Sequence, residues 1–256
     1  MATVEISDLL FPAFNKGELA KIPAPYGIEL FYEFGGNDYW DGVISTIPGT
    51  KRALSLHGPC VTVNLADAND HTYLHRYEET FTYGKKVGAS FIVIHTNERW
   101  SGEKAPYQER VKERLHKIES LAVRIGGPKM VIENVGLKQY NLFNQEEYIA
   151  LFDEFPQAAS LIDVGHAHVN GWDIPSVVKA LNSRIFAFHL HDNDGQGDQH
   201  LPIFAGNIDW DALTRAIAAY APNAIRVLEY ANGDYAKADE LLDNIKTVQE
   251  RYPDFL

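Results

Sequence analysis

Ten histidines occur in the 256 residues of the chain, and several of them end short apolar runs. Leu54-Ser55-Leu56 runs into His57, Phe91-Ile92-Val93-Ile94 into His95, and Phe186-Ala187-Phe188 into His189. Carboxylates do the same. Met130-Val131-Ile132 ends on Glu133 and Asn134, Leu161-Ile162 on Asp163, and Val227-Leu228 on Glu229. A lone histidine in such a place is more often a hydrogen-bonded structural residue than a ligand. A lone carboxylate there can cap a following helix. What matters is that six consecutive apolar runs end this way. Buried carboxylates are costly unless paired or metal-bound. Three of them converging with three imidazoles are most simply balanced by divalent cations, and that donor mixture suits zinc, manganese or iron.

Two loops add donors. His166 lies three residues past Asp163 and can turn back toward it, whereas His168 is expected to face solvent. Beyond His189, the glycine-rich stretch to His200 carries the pair Asp198-x-His200. Composition alone reads that stretch as a polar surface turn.

Such residues need elements to bring them together. The apolar and β-branched runs predict eight strands: Val4–Ile6, Gly27–Tyr32, Ala53–His57, Ser90–His95, Lys129–Asn134, Ser160–Val164, Arg184–His191 and Ala224–Tyr230. Segments of helical period lie between them, at His71–Gly88, Pro106–Ile125, Gln145–Phe155, Pro175–Leu181, Asp209–Tyr220 and Tyr235–Tyr252. Asn15–Ile22 is too short for a full outer helix, so the first βα unit is expected to be irregular. Alternation of this kind implies parallel strands joined by crossovers. Eight units in a chain near the roughly 250 residues of a closed barrel predict a single (β/α)8 TIM barrel spanning 1–256. Its active site would lie at the C-terminal ends of the strands. No glycine-rich loop follows the first strand, which disfavours a dinucleotide fold.

Composition narrows the partners. The chain is 45% hydrophobic and 23% charged, as ordinary globular proteins are. No run approaches the ~18 apolar residues of a membrane span, and with no basic stretch followed by an apolar one at Met1–Glu5 a secretory signal is not expected. Cys60 is the single cysteine, so no intrachain disulfide can form and a cytoplasmic location is expected. Cys60 reads as a small buried apolar residue, although it follows His57 closely enough to line the site. The net charge of −12 disfavours a nucleic-acid partner.

Taken in order, the segments Ile132-Glu133-Asn134-Val135, Ile162-Asp163-Val164-Gly165-His166, Phe188-His189-Leu190-His191-Asp192-Asn193, Asp198-Gln199-His200-Leu201-Pro202, Asn207-Ile208-Asp209-Trp210 and Val227-Leu228-Glu229-Tyr230 resemble the xylose-isomerase-like TIM-barrel superfamily. That group holds sugar-phosphate isomerases, ketose 3-epimerases, dehydratases and endonuclease IV-type AP endonucleases. The resemblance implies an inner metal set of Glu133, Asp163, His189 and Glu229. It also implies an outer set, His57 and His95 (with Glu133) and His166, Asp198 and His200, that would raise the count from one ion to as many as three. Zinc or manganese is the implied metal. The loop Gly58–Asp67 carries no cation of the kind the endonucleases use on DNA. The glycine usual before Gly206-Asn207-Ile208-Asp209-Trp210 is replaced by Phe204-Ala205, and no counterpart of the epimerases' substrate-binding arginine follows strand seven.

The resemblance therefore implies an isomerase or epimerase of a small hydroxy-carbonyl carbohydrate, working through an enediolate. Glu133 and Glu229 would be the acid–base pair, and His166 would polarise a substrate oxygen. Tyr32, Trp40 and Trp100, read as loop residues near the mouth, are candidates to stack on a sugar face, as is Phe31 if it is not core. Asn134 is a further candidate substrate contact. The alternatives are a zinc phosphoesterase of the endonuclease IV type and a metal-dependent dehydratase or lyase. A homo-oligomer stays open.

Overall fold

The computed structural model describes residues 3–11, 13–49, 52–230 and 237–256. Eight parallel strands close in chain order into a barrel: β1 (Val4–Ser7), β2 (Gly27–Phe31), β3 (Leu54–His57), β4 (Phe91–His95), β5 (Lys129–Glu133), β6 (Ala159–Asp163), β7 (Ile185–Leu190) and β8 (Ile225–Leu228). β1 pairs with both β2 and β8. Each expected strand is present, its ends shifted by one or two residues. The fold is the expected (β/α)8 barrel, and its first unit is indeed irregular. After β1 come two 3-10 segments, Asp8–Leu10 and Ala13–Lys21, in place of an α-helix.

The outer helices are α1 (Asn37–Thr46), α2 (Tyr73–Val87), α3 (Lys104–Ile125), α4 (Gln145–Glu154), α5 (Val164–Val169), α6 (Ile174–Leu181), α7 (Trp210–Tyr220) and α8 (Ala238–Arg251). Local chemistry sets their ends. Gly88 closes α2 in the left-handed region at φ 74°. Asn144 and Glu147 form a reciprocal capping box on α4. Asp209 caps α7 through the amide of Ala212. For the last helix, the expected residues Tyr235 and Ala236 lie outside the described residues.

α1 was not expected. Trp40, Val43, Ile44 and Ile47 form an apolar stripe, but Gly35, Gly36, Gly42 and Pro48 around it obscure the period. The consequence is a correction. Trp40 sits on a helix, not on a mouth loop, and its ring is fully buried in the core. Its indole Nε1 donates to the carbonyl of Tyr32 at 2.8 Å.

Strand alternation divides the core into two. Ile6, Ile28, Leu30, Leu56, Ile92, Ile94, Ile132, Ile162, Phe188 and Leu228 point outward and pack under the helices. Phe91, Val93, Val131, Leu161, Ala187 and Val227 point inward and plug the barrel. Successive side chains on a strand face opposite ways. The residue two positions after an inward apolar one therefore faces inward too, nearer the C-terminal mouth. Val93 is followed in this way by His95, Val131 by Glu133, Leu161 by Asp163, Ala187 by His189 and Val227 by Glu229.

β5 and β6 carry two of these carboxylates and are braced from α4. The buried Tyr148 hydroxyl lies 2.9 Å from the carbonyl of Ile132, 2.8 Å from that of Leu161 and 2.7 Å from Ser160 Oγ. Replacing Tyr148 by Phe leaves these groups without that partner in a water-free place. The variant is expected to lose about 1–3 kcal/mol of unfolding free energy in urea titrations. A value within error of wild type would show that the brace is dispensable.

Candidate metal centre

The strand ends deliver His57, His95, Glu133, Asp163, His189 and Glu229 to one mouth. Register places His95 opposite Glu133 and Asp163 opposite His189. His189 Nδ1 lies 3.3 Å from Glu229 Oε2, 3.6 Å from Glu133 Oε1 and 3.8 Å from Asp163 Oδ2. On one flank, Glu133 Oε2 is 3.0 Å from His95 Nε2 and 3.7 Å from His57 Nε2. On the other, Asp198 Oδ2 is 3.0 Å from His200 Nε2 and 3.2 Å from His166 Nε2. All nine residues that the resemblance assigned to metal are thus gathered at one end of the barrel. Among the described residues five donor groups run through them: His57, Cys60 and His95; Glu133, Asp163 and His189; His166, Asp198 and His200; His191, His200 and Glu229; and Glu29, His189 and Glu229.

His166 is brought in by α5, whose N-terminus Asp163 itself caps by accepting from the His166 amide at 2.6 Å. The loop holding Asp198 and His200 is no free surface turn. Buried Asp192 accepts from the amides of Asn193, Phe204 and Ile208 and from the indole of Trp210, at 2.7–3.2 Å. Its backbone also pairs with Leu201. Phe204 stands at φ 80°, in the region that favours glycine. Its ring packs against Trp210 and Tyr252, with the Arg251 guanidinium above it.

Each imidazole is aimed by a second partner. His57 Nδ1 meets the carbonyl of Gly58 at 2.9 Å, and His200 Nδ1 that of Glu229 at 2.8 Å. A carbonyl only accepts, so these nitrogens carry the proton and Nε2 offers its lone pair to the cluster. His95 Nδ1 faces Glu98 at 2.9 Å, and His189 Nε2 faces Glu29 at 3.1 Å. Glu29 and Glu98 were missed from the sequence. The signal for Glu29 was a carboxylate at inward parity between Ile28 and Leu30. His191 was also missed as a site residue. Its Nε2 lies 3.0 Å from Asp163 Oδ2. The ring fits only because residue 165 is glycine, since a Cβ there would lie 2.0 Å from the His191 ring.

Burial alone would push the imidazoles toward neutrality and the carboxyls toward protonation. Mutual attraction overrides this at most of them. Against burial, Glu133 and then Glu98 raise His95 to about 10, and contacts with Asp198 and Glu229 raise His200 to about 9. Against burial again, His95 and His189 hold Glu133 well below the usual carboxylate range, and His166 and His191 lower Asp163. Glu229 goes the other way, because burial outweighs the attraction of His189 and His200. The cluster thus demands cations. Several buried donors that face it make no aligned hydrogen bond despite these close approaches, namely Glu133 Oε2, His95 Nε2, His189 Nδ1 and Asp198 Oδ1. Buried polar atoms are rarely left so. Orphaned carboxylate oxygens and imidazole nitrogens together fit a divalent metal.

A cavity of about 450 Å³ opens above the cluster. Leu9, Phe31, Phe34, Val61, Leu137 and Tyr140 form its walls, and Arg99 is the one arginine or lysine among the described lining residues. The expected substrate contacts are placed elsewhere. Tyr32 hydrogen-bonds Asn37 and stacks on Tyr83. Trp100 donates to the carbonyl of Tyr140 and packs on Tyr107. Trp40 is core. Asn134 is buried, its amide bridging the backbone N–H and C=O of Asp163 at 2.8 and 3.0 Å, so it positions a carboxylate. The aromatic ring that does reach the cluster is Phe31, stacked on His57 with centroids 4.0 Å apart.

Comparisons with known proteins agree with this architecture. The uncharacterized protein MJ1614 of Methanocaldococcus jannaschii is 24% identical over 229 residues, covering 86% of this chain and 87% of that one. Among solved structures, a D-tagatose 3-epimerase-like protein superposes with a TM-score of 0.77 at 19% identity, covering 97% of this chain and 99% of the other. The IOLI protein with a bound zinc atom also gives 0.77, at 14% identity and 99% coverage of both. At such identities the structural likeness shows the fold alone. A family model described as a xylose isomerase-like TIM barrel matches residues 46–251, and the chain belongs to that family.

Proposed function

We propose that this protein is a divalent-metal-dependent isomerase or epimerase of a small hydroxy-carbonyl carbohydrate. The reading is carried by the approach of Glu133 and Glu229 to one imidazole nitrogen of His189, beside Asp163, at the floor of the cavity. Proteins of the same fold include a D-tagatose 3-epimerase-like protein and one holding zinc, which supports both halves of the reading by analogy.

A cation held by Glu133, Asp163, His189 and Glu229 would supply Lewis-acid polarisation of a substrate carbonyl, which acidifies the neighbouring C–H. The chain supplies the rest. One of the two glutamates takes the proton from that carbon, and the other returns a proton to the enediolate. Return to the opposite face of the same carbon epimerises it. His166, oriented by the carbonyl of Asn134 through Nδ1, would present Nε2 to a substrate oxygen in exchange for Asp198 Oδ2, 3.2 Å away. Phe31, Phe34 and Leu137 keep bulk water from the reacting carbon. Arg99 at the rim is placed to meet an anionic substituent.

One observation favours a second reading. The outer donors exceed what a single ion needs, and two or three close ions suit hydrolysis of a phosphate ester. A dehydratase or lyase would begin with the same proton abstraction and is separated by its product.

Elemental analysis of the purified protein is expected to find at least one divalent metal per chain. Asp163→Asn keeps a cap for α5 but loses the charge, and is expected to weaken inner-site affinity at least about tenfold. Metal-free preparations with an unchanged melting temperature in chelator would remove the metal from the reading. With metal content matched to wild type, Glu133→Gln and Glu229→Gln are each expected to lower kcat by about 10²–10⁴ on a keto-sugar panel. They are also expected to suppress solvent deuterium uptake in heavy water. Cleavage of an abasic-site duplex by the wild type, with no deuterium entering any sugar, would favour the hydrolase instead.

A further inference from the structure

The outer pair His57 and His95 has a neighbour that a tally of carboxylates and imidazoles leaves out. Cys60 is buried, and its Sγ shares with the ligand nitrogens of both rings a space in which all three atoms lie within 4.8 Å of one another. Glu133 Oε2 adds a fourth donor at 3.0 Å from His95 Nε2 and 3.7 Å from His57 Nε2. The Glu133 side chain is 99% buried, and although its Oε2 and His95 Nε2 lie 3.0 Å apart, neither atom makes an aligned hydrogen bond. We propose that Cys60 Sγ completes, with His57 Nε2, His95 Nε2 and Glu133 Oε2, a closed four-donor zinc site on the flank of the barrel mouth. The proposal rests on the reading of the mouth as a metal centre.

The geometry is prepared on every side. Proton placement on the far nitrogens, toward the carbonyl of Gly58 and toward Glu98, turns both Nε2 lone pairs to the shared space. Bond lengths of about 2.0–2.3 Å around a tetrahedral zinc put its donors roughly 3.3–3.7 Å apart. The two separations from Glu133 Oε2 lie close to that range, and the sulfur, which shares the 4.8 Å span with the two imidazoles but not with Glu133, must move toward that oxygen to join it. The turn between His57 and Cys60 is held tightly. The Gly58 amide donates to the carbonyl of Val93 at 3.1 Å, and a Cβ on residue 58 would lie 2.3 Å from that oxygen. Glu33 fixes the far side of the turn, accepting from the amides of Cys60, Val61 and Thr62 at 2.9–3.0 Å. The cysteine is therefore presented by a rigid loop.

The donor types decide the ion and its role. A thiolate with two imidazoles selects zinc over manganese, whereas the inner set of three carboxylates and one imidazole also accommodates harder ions. Four protein donors leave no open position for water, which is the mark of a structural zinc. Such an ion generates no hydroxide, and this weighs against a hydrolytic role for that flank. On binding, the Sγ–H bond breaks, an Sγ–metal bond forms, and the proton leaves to solvent. A bound dication deprotonates a coordinating thiol outright. Until then Sγ donates to Glu33 Oε1 at 3.1 Å.

Cobalt(II) titrated into the metal-free full-length protein tests this, because a cobalt–thiolate bond gives a strong near-ultraviolet charge-transfer band. The wild type is expected to show the band, rising at saturation to the intensity of one cobalt–thiolate centre per chain and reversed by zinc. Cys60→Ser keeps a donor for Glu33 but lacks the thiolate. It is expected to lose the band and to bind zinc at this site at least about tenfold more weakly, while Asp163→Asn retains the band. Cobalt bound with no such band, or unchanged zinc affinity in Cys60→Ser, overturns the proposal and leaves the inner site standing. No cobalt bound at all overturns the metal reading with it. The wild-type spectrum decides even if the variant misfolds.

Discussion

Glu133 has almost no exposed surface, yet its two oxygens face four imidazoles: His57 and His95 from one, His166 and His189 from the other. A carboxylate so placed cannot be desolvated alone, since an unpaired buried charge costs several kcal/mol, about as much as a small domain's net stability. Positive charge must accompany it, as protons on the rings or as metal. The rest of the mouth follows from that demand. Asp163 and Glu229 extend the negative floor, and the histidines lie between the carboxylates. Hydrogen bonds at their outer nitrogens keep the rings from turning away.

Those outer bonds tie the site to the scaffold. The partners of His57, His166 and His200 are main-chain carbonyls of the strand ends themselves, so ring orientation is fixed by the same backbone that closes the barrel. His189 is held from beneath by Glu29, which neighbours Glu5 and Ser55 inside the barrel. Burial raises Glu5 to about 8, so this lower layer carries a proton at neutral pH and adds less negative charge than its residue count implies. Asp192 performs the corresponding task for the loop, gathering three amides and an indole so that Asp198 and His200 stay over the mouth. The left-handed Phe204 is the cost of that turn, offset by stacking of its ring.

The barrel and the six strand-end residues were legible because strand parity is a short-range pattern. Each apolar run shows its inward register, and the last inward position shows the chemistry. The loop donors were not legible in this way. Nothing local distinguishes Asp198 and His200 from a solvated turn, and they were found through their order relative to Asp209-Trp210. Substrate contacts were read worst. Trp40 and Trp100 were assigned by residue type, but indole N–H groups find partners within the fold when buried, and both do so here. Asn134 went wrong for a related reason, since an amide beside a carboxylate serves to hold that carboxylate's backbone. Glu29 escaped notice because a single inward acid on β2 carries no repeat.

The division of Glu133 between two neighbourhoods has a consequence for how the site works. Oε1 belongs with His166 and His189 at the cavity floor, and Oε2 with His57 and His95 on the flank. Charge withdrawn from one oxygen is withdrawn from the whole carboxylate. A cation on the flank therefore makes Oε1 a weaker base, while fixing the side chain against rotation. Proton transfer benefits from the second effect and suffers from the first. Glu229 meets His200 Nδ1 at 3.6 Å, but burial outweighs that attraction and keeps its proton affinity the higher of the two. Two carboxylates whose surroundings push their proton affinities apart are the arrangement an acid–base pair requires. Under the proposed isomerase reading, the flank histidines would maintain that asymmetry and so bear on the reaction without touching the reacting carbon.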